Sequence, residues 1–424
     1  MIPVAGRASS RRLPWPKRVD IALLCFLAIL IAYCDRVNLS VAAPTMLREY
    51  GWNTAQMGWA FTGFFIGYTL FMIPAGRLAD RFGPRHIFVL GIVWWSVFTA
   101  LTPLPRTLGV FVAVRILMGL GESFLYPSIN STLVRWFPQQ EYSRVAGFCW
   151  SGGYAGSILA FPLASAILAL WGWRAVFFLF AGLGLIWLPF WWFGARDQPE
   201  DSPGITAEEL AYIAGARPAV KEAVSAPWKR LFRLPALWAA WILHFSSNWY
   251  AYVMLTWLPT YLSTARGFSL ADMAFGAALP FACALAGTNV FGPLIDRLSR
   301  GRNRTGVRKW FLAPYAVSAA TLFVVPLAPG PAATVSVLSV SMFFLSAVTP
   351  VYASSSLDLA PRYAGTVVGI QNAFANLAGI IAPVLIGYLV KDWGWNSAFW
   401  ITALMCTAGI LTYLAFGKAE KLID

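Results

Sequence analysis

The chain has 424 residues, of which 58% are hydrophobic and 12% are charged, and its formal net charge is +14. A soluble protein of this length would carry charge on roughly a quarter of its residues. The apolar residues here come in blocks of about 20, the length that crosses a bilayer, so the composition excludes a soluble class.

The basic excess does not indicate nucleic acid, because Lys and Arg lie in short loops between apolar blocks and form no basic domain. The five cysteines all fall within apolar segments at no metal-ligand spacing, which predicts buried thiols, no disulfide framework and no metal site. The first apolar run is too long for a signal peptide and leads into further spans, so we interpret it as an uncleaved helix.

Twelve apolar segments predict an all-α membrane protein with 12 transmembrane helices. They lie approximately at 19–45, 55–78, 86–104, 107–134, 142–169, 173–195, 236–264, 270–296, 307–328, 332–357, 363–390 and 395–417. The polar stretch 196–235 divides them six and six. We therefore expect a cytoplasmic N-terminal tail at 1–18, a six-helix bundle at 19–195, a cytoplasmic central loop at 196–235, a second six-helix bundle at 236–417 and a cytoplasmic C-terminal tail at 418–424.

The distribution of basic residues predicts the orientation of these helices. Of the 32 Lys and Arg residues, 25 lie on the side that holds the N-terminus, five lie on the other side, and Arg36 and Arg115 lie within the apolar segments. By the positive-inside rule, both termini are cytoplasmic.

Two apolar segments carry opposite charges that can pair. Asp35 and Arg36 lie in the first segment, where an ionised side chain costs about 2.5–3.5 kcal/mol and needs a partner or a wet cavity. Four residues of the fourth segment are separated by four, three and four positions, which places them on one face of a helix: Arg115, Gly119, Glu122 and Tyr126. Arg115 and Glu122 are two turns apart, so each has room for a partner from the first segment.

The four charges sum to zero, which suggests a device for proton coupling at Asp35 and Glu122, with Arg115 as their cationic partner. Burial favours the neutral form of a carboxylate and a nearby arginine favours the charged form. A substrate anion that captures an arginine weakens the second effect, so the acid takes up a proton. We expect Asp35, adjacent to Arg36, to respond to substrate more directly than Glu122. The alternative is a structural charge network.

Arg36 is the predicted anion ligand, because a guanidinium grips an oxyanion bidentately. Tyr68 follows Gly63 and Gly67, which allow close approach of a neighbouring helix; its hydroxyl either lines a cavity or packs. In the loop after the second segment, Gly76, Asp80, Arg81 and Arg85 suggest a cytoplasmic latch in which the acid meets a helix N-terminus or an arginine.

The other segments contribute weaker candidates. Gly152-x-x-x-Gly156 predicts a close helix contact. Asn248 and Tyr252 share one face of the seventh segment, and Asn372 and Asn376 share one face of the eleventh. Each pair contacts either substrate or a neighbouring helix.

Three short motifs recur in the same order with offsets of 216, 218 and 222 residues, which predicts a duplication of six helices. The pairs are 76–81 with 292–297, 144–147 with 362–365, and 171–173 with 393–395. The interface between such repeats is the expected substrate site, at mid-membrane.

The stretch 76–85 (GRLADRFGPR) resembles the loop 2–3 signature of the major facilitator superfamily. Residues 35–40 (DRVNLS), 115–122 (RILMGLGE) and 257–262 (WLPTYL) are similar to its anion:cation symporter family. The resemblance covers nearly the whole chain and implies two pseudo-symmetric six-helix bundles. It also implies that the four buried charges act in proton coupling and anion recognition, and that the latch stabilises one access state. Sugar-acid carriers of the family tend to have an amide in the fifth helix, where this chain has 150–154 (WSGGY).

We therefore expect a secondary active transporter that moves a small organic anion, such as a sugar acid or an aromatic acid, by proton-coupled symport with alternating access. It would need no cofactor other than the coupling protons and would be a monomer in a bacterial inner membrane. Sodium coupling or exchange, including of phosphate, stays open. An enzyme is disfavoured by the absence of a zinc motif, nucleophile elbow or paired-aspartate signature. A receptor would need a signalling domain for which the predicted tails leave no room.

Overall fold

The computed structural model describes residues 15–215 and 227–423, which are helical apart from short connections and contain no strand. The α-helices of these residues are α1 (Lys17–Tyr50), α2 (Thr54–Phe82), α3 (Pro84–Leu101), α4 (Leu108–Glu122), α5 (Leu125–Trp136), α6 (Gln139–Trp171), α7 (Trp173–Gly194), α8 (Ala207–Gly215), α9 (Trp228–Phe232), α10 (Pro235–Arg266), α11 (Leu270–Ser299), α12 (Arg304–Trp310), α13 (Leu312–Val324), α14 (Pro331–Leu345), α15 (Thr349–Leu359), α16 (Ala364–Trp393) and α17 (Trp395–Phe416).

Ten helical stretches of the described residues are long and apolar enough to cross a membrane, which makes the protein an integral membrane protein. The helices α1 and α10 are not among the ten, although they have 34 and 32 residues. Both are largely buried between other helices, and that position tolerates polar residues. The predicted number of twelve spans therefore stays a prediction.

The helices pack in two similar groups. In the first group, α1 packs on α6 and α7, and α4 packs on α2 and α3; in the second, α10 packs on α16 and α17, and α14 packs on α11 and α13. The groups meet through α2 with α16, α6 with α11, and α1 with α10. The duplication predicted from the repeated motifs relates α2 to α11 and α6 to α16, so the first two contacts are equivalent to each other.

The repeated Trp-Gly-Trp motif produces the same helix break in each group. Gly172 separates α6 from α7 with φ 82° and ψ 167°, and Gly394 separates α16 from α17 with φ 77° and ψ 177°. A side chain would be strained at these positive φ values, which glycine adopts without cost. The matching geometry supports the duplication that the sequence predicts.

The segment predicted as a central loop carries a short helix that contacts α1. The Glu209 carboxylate of α8 accepts hydrogen bonds from the backbone N–H groups of Lys17 and Arg18, at 3.0 and 3.1 Å, and from the Arg18 guanidinium at 3.1 Å. The first N–H groups of a helix have no partner within the helix, and an acid there is favourable. Glu209 thus stabilises the start of the helix that carries Asp35 and Arg36.

Candidate functional site

Four ionisable side chains from α1 and α4 are buried together in the first group of helices. Asp35 and Glu122 are 0% exposed, Arg115 is 2% exposed and Arg36 is 5% exposed. Arg36 Nε donates a hydrogen bond to Glu122 Oε1 at 2.6 Å. Asp35 lies within electrostatic range of Glu122 and Arg115. The prediction that Glu122 finds its partner on the first helix is confirmed, and the partner is Arg36.

The pairing corrects one expectation about substrate response. Asp35 is the sequence neighbour of Arg36, but Glu122 is the carboxylate that Arg36 contacts. Successive residues of an α-helix point about 100° apart, so adjacent side chains do not face each other. A ligand that binds Arg36 would therefore act on Glu122 first.

Three aromatic rings surround the Arg36 guanidinium. The ring centroids of Tyr33, Phe64 and Tyr68 lie 4.8, 5.1 and 4.9 Å from Arg36 Cζ. Phe64 also lies 5.4 Å from Arg115 Cζ, so one ring is close to both guanidinium groups. Each cation–π contact contributes about 0.5–2 kcal/mol, which offsets part of the cost of removing the charge from water. These rings are referred to below as the aromatic cage.

Several polar atoms of this cluster are buried without a hydrogen-bond partner among the described residues. They are both Asp35 carboxylate oxygens, Arg36 Nη2, Arg115 Nε and Glu122 Oε2. Arg115 Nη1 contacts only the Met118 sulfur, at 2.9 Å. An unpaired buried polar atom costs about 1–3 kcal/mol, so a site with so many is stable only if another group, such as a ligand, forms hydrogen bonds with them. The cluster can accept an anion at the guanidinium groups and protons at the carboxylates.

Glycines bring α2 and α4 into backbone contact and so position the cage. A Cβ on Gly67 would lie 1.9 Å from the Ile116 carbonyl oxygen, and a Cβ on Gly119 would lie 2.0 Å from the Phe64 carbonyl oxygen. The close approach predicted for Gly63 and Gly67 is confirmed. It brings Phe64 and Tyr68 against the charges of α1 and α4. Tyr68 is 4% exposed, so its ring packs on Arg36, and a role of its hydroxyl in substrate binding stays a prediction.

The fourth predicted helix differs from expectation, because it is broken directly after Glu122. α4 ends there and α5 begins at Leu125. Ser123 stabilises the break, since its hydroxyl donates to the Leu120 carbonyl at 2.6 Å. Tyr126 therefore belongs to α5, although Ser123 and Phe124 keep right-handed helical backbone angles and α4 and α5 form one membrane-length stretch. Tyr126 lies near Arg36 and Tyr33.

The second group of helices contributes Tyr252 to this site. The Tyr252 hydroxyl donates to Asn376 Oδ1 at 2.6 Å, and the Tyr252 ring lies 4.5 Å from the Phe65 ring of α2. Asn376 in turn donates to the Asn372 carbonyl at 2.8 Å. Tyr252 thus makes an interhelical hydrogen bond, as one of the two alternatives predicts. The side chains of Asn248 and Asn372 are half-buried and bond to none of the four charges.

Tyrosines that the sequence did not single out complete the site. Tyr33 lies on α1 one turn before Arg36. It is close enough to interact electrostatically with four other tyrosines, Tyr126, Tyr154, Tyr252 and Tyr352. The Tyr352 ring stacks on the His244 ring with centroids 3.9 Å apart. The i, i+3 spacing to Arg36 could have indicated Tyr33. Tyr154 and Tyr352 lie on separate helices and give no comparable signal.

The predicted latch is not formed in this conformation. Asp80 is exposed, and its one contact within the described residues is with the Ser131 hydroxyl, at 3.5 Å. Arg81 lies over the Phe82 ring at 5.1 Å. Arg85 instead anchors to the end of α7, because its backbone N–H donates to Asp197 at 2.9 Å and its guanidinium donates to the Trp192 carbonyl at 2.6 Å. A Cβ atom added to Gly76 would lie 3.9 Å from the Pro127 side chain, which is an ordinary van der Waals contact.

The two groups are in tight contact at one end of α2 and α16. The first turns of α2 contact the last turns of α16: Thr54 donates to the Gly387 carbonyl at 2.7 Å, and Thr62 donates to the Ile380 carbonyl at 2.9 Å. The contact continues to Met72 and Asn376. No hydrogen bond between described residues joins α2 and α16 beyond this point, towards the end of α2 that holds Asp80.

A sequence profile described as Major Facilitator Superfamily matches residues 25–338 and 302–422. The chain belongs to the Major Facilitator Superfamily. It is a membrane transporter and not an enzyme.

Relatives within the superfamily cover nearly the whole chain. It is 34% identical to the sodium-dependent phosphate transport protein 1 of Arabidopsis thaliana, over 99% of this chain and 84% of that protein. It is 33% identical to the probable sulfoacetate transporter of Cupriavidus necator, over 94% of this chain and 93% of that one. It is 29% identical to sialin of Homo sapiens, over 99% of this chain and 93% of that protein.

Solved structures show the same fold. The inward-facing, occupied structure of a bacterial homolog of the human lysosomal transporter Spinster matches with a TM-score of 0.78 at 16% identity, over 95% of this chain and 97% of that one. The D-xylose–proton symporter matches with a TM-score of 0.74 at 16% identity, over 95% of this chain and 98% of that one. The major facilitator superfamily fold implied by the resemblance is confirmed.

Proposed function

We propose that the protein is a secondary active transporter that moves a small organic anion by proton-coupled symport with alternating access. The observation that carries this proposal is the Arg36 guanidinium, which is buried in the aromatic cage, bound to Glu122 through Nε and without a hydrogen-bond partner at Nη2 among the described residues. The names of relatives support an anionic substrate, since they include phosphate, ascorbate and sulfoacetate transport.

Anion binding begins at the free edge of Arg36. Nη2 is buried without a hydrogen-bond partner among the described residues, so it can donate to one oxygen of an oxyanion while Nη1 donates to the other. Arg115 adds a second positive charge next to the same Phe64 ring. Tyr252 and its partner Asn376 bring the second group of helices to the same place, so an anion held there would contact both groups.

Proton coupling follows from the competition for Arg36. An anion that binds the guanidinium neutralises the charge that stabilises ionised Glu122, and a buried carboxylate without that support takes up a proton. Asp35 has no hydrogen-bond partner among the described residues and is the second proton acceptor. When the anion leaves, Arg36 returns to Glu122 and the proton is released. Substrate and proton are therefore loaded and unloaded together.

Alternating access uses the contact between α2 and α16. In our proposal both termini are cytoplasmic, so the contact between Thr54 and Gly387 lies at the external end and holds the inward-open state closed on that side. Asp80 then forms its latch only in the opposite, outward-open state. A bacterial inner membrane fits this orientation, and one chain contains the whole site.

The orientation can be tested by cysteine labelling. Asp201, an exposed residue between α7 and α8, is replaced by cysteine in a variant without the native thiols. We expect a membrane-impermeant maleimide to label it only after the cells are opened. Labelling in intact cells would contradict the cytoplasmic placement.

The transport proposal is tested in proteoliposomes that contain the purified protein and a pH indicator. Organic acids are added one at a time without sodium, and symport predicts alkalinisation of the side to which the substrate is added. Arg36→Ala is the matched negative control. Uptake without proton movement for every accepted acid would contradict proton coupling while leaving anion transport intact.

Sodium coupling is the second candidate, and one observation favours it. Asn38 lies one turn after Asp35, and the side-chain oxygens of both are buried without a partner among the described residues. Carboxylate and amide oxygens are ligands for hard cations. The same proteoliposomes distinguish the two, because sodium coupling predicts uptake driven by a sodium gradient at equal pH. Exchange predicts uptake only into vesicles preloaded with substrate.

A further inference from the structure

We propose that the site selects planar carboxylates over tetrahedral oxyanions of the same charge, and that the aromatic cage around Arg36 determines this selectivity. The inference rests on the proposed function and specifies the head group of its substrate. It depends on which hydrogen-bond donors of Arg36 are left unpaired by Glu122 and on the aromatic rings that surround the guanidinium.

Glu122 leaves one edge of the guanidinium for a ligand. The carboxylate of Glu122 uses Nε at 2.6 Å, Nη2 is buried without a partner among the described residues, and the Tyr68 side chain is the other hydrogen-bonding neighbour of the guanidinium. The end edge of a guanidinium presents two parallel N–H groups in its own plane. A carboxylate matches this pair with two oxygens that lie in the same plane.

The rings of the cage limit the space around the guanidinium. Tyr33, Phe64 and Tyr68 lie within 5.1 Å of Arg36 Cζ. Phe64 and Tyr68 are one turn apart on α2 and stack with their planes 20° apart, so they form one continuous wall. Gly67 and Gly119 fix that wall in position, because the backbones of α2 and α4 touch there. The two rings of the wall therefore cannot move away from Arg36 easily to make room for a thicker head group.

A tetrahedral oxyanion meets the cage unfavourably. When two oxygens of a sulfonate bind the Nη edge, its third oxygen projects out of the guanidinium plane towards a ring. The face of an aromatic ring carries negative potential, which attracts the guanidinium but repels an anionic oxygen. A carboxylate has no such third oxygen, so the same rings that stabilise Arg36 discriminate between the two head groups.

The experiment compares acids that differ only in the head group. Benzoate with benzenesulfonate and acetate with methanesulfonate are matched pairs of monoanions at pH 7. Their binding to the purified full-length protein is measured by thermal stabilisation and by competition. We expect each carboxylate to bind at least about tenfold more tightly than its sulfonate, which corresponds to about 1.4 kcal/mol.

Variants of the cage test the cause of the selectivity. Tyr68→Leu removes one ring of the wall, and we expect the carboxylate-to-sulfonate ratio to fall towards one. Tyr68→Phe keeps the ring and is the matched control, with an unchanged ratio. Phe64→Leu is a second variant in case Tyr68→Leu does not fold, and the ratio in the unsubstituted protein tests the selectivity itself.

The outcomes separate this inference from the proposed function. Equal binding of both members of each pair to the unsubstituted protein would overturn the selectivity and leave anion transport standing. A tenfold ratio that persists in Tyr68→Leu and Phe64→Leu would overturn the role of the cage. If neither member of any pair binds, and the wider range of acids in the proteoliposome test also fails, the proposed function itself is wrong.

Discussion

Replacing Glu122 by glutamine should destabilise the protein, whereas replacing Asp35 by asparagine should not. The two acids are a matched pair, because both are 0% exposed and both belong to the same cluster. They differ in their contacts. Glu122 accepts a hydrogen bond from Arg36 at 2.6 Å, whereas the Asp35 oxygens form no such bond and have the neutral Trp95 side chain as a neighbouring donor.

The expected magnitude follows from that difference. A hydrogen bond to a charged group contributes about 1.5–3 kcal/mol and a neutral one about 0.5–1.5 kcal/mol. Glu122→Gln keeps an acceptor oxygen for Arg36 but leaves the guanidinium without its counter-charge, and removal of a partner from a buried pair costs up to about 3–5 kcal/mol. We expect a loss of about 1.5–3 kcal/mol in the free energy of unfolding. Asp35→Asn breaks no hydrogen bond and should change it by less than about 1 kcal/mol.

The assay is thermal unfolding of both variants in the same detergent, followed by transport. We expect a lower midpoint for Glu122→Gln and an unchanged or higher one for Asp35→Asn. Both variants should lose accumulation driven by a pH gradient but keep counterflow at equal pH, because a neutral amide mimics a protonated carboxyl. Glu122→Gln should also bind carboxylates more tightly, since Arg36 no longer has an anionic competitor.

Three results would refute this reasoning. If both variants lose stability equally, the Arg36–Glu122 contact is not the difference between the two acids. If both still accumulate substrate in a pH gradient, neither acid carries the coupling proton. If both fail to fold, the cluster is a structural charge network.

Three further predictions concern other contacts. Arg36→Lys should weaken anion binding by at least about tenfold in a titration of the purified protein, because lysine keeps the charge but lacks the planar fork; unchanged affinity would exclude Arg36 as the direct ligand. Gly67→Ala should cost at least about 1–3 kcal/mol, because its Cβ lies 1.9 Å from a carbonyl oxygen, whereas Gly182→Ala, with nothing within 4 Å, should be neutral in the same thermal assay. At the C-terminal end of α1, beyond the apolar segment, hydrogen bonds from Arg174 and Trp173 lower the pKa of Glu49. This pair is largely exposed, so Arg174→Gln should cost less than about 1 kcal/mol at neutral pH, and the loss should vanish as the pH falls below the lowered pKa and Glu49 is protonated in both proteins.

The sequence by itself determined the membrane class, the duplication and the chemical type of the site. Apolar blocks of bilayer length leave no other solvent than lipid, and charges within such blocks are costly enough to mark a functional cluster. The repeated Trp-Gly-Trp motif helped to predict the duplication, and the structure shows equivalent helix breaks there because Gly172 and Gly394 adopt positive φ. Small residues at four-residue spacing predicted the close contacts of Gly67 and Gly156, which meet the backbones of Ile116 and Leu30.

Only the tertiary structure decided how the charges pair and which rings enclose them. Adjacency in sequence suggested Asp35 as the acid coupled to Arg36, but the helix turns adjacent side chains apart, and the packing of α4 on α2 presents Glu122 to Arg36 instead. The aromatic cage combines Tyr33 of α1 with Phe64 and Tyr68 of α2. Contacts between residues far apart in the chain depend on interhelical distance and rotation, and periodicity within one helix specifies neither of them.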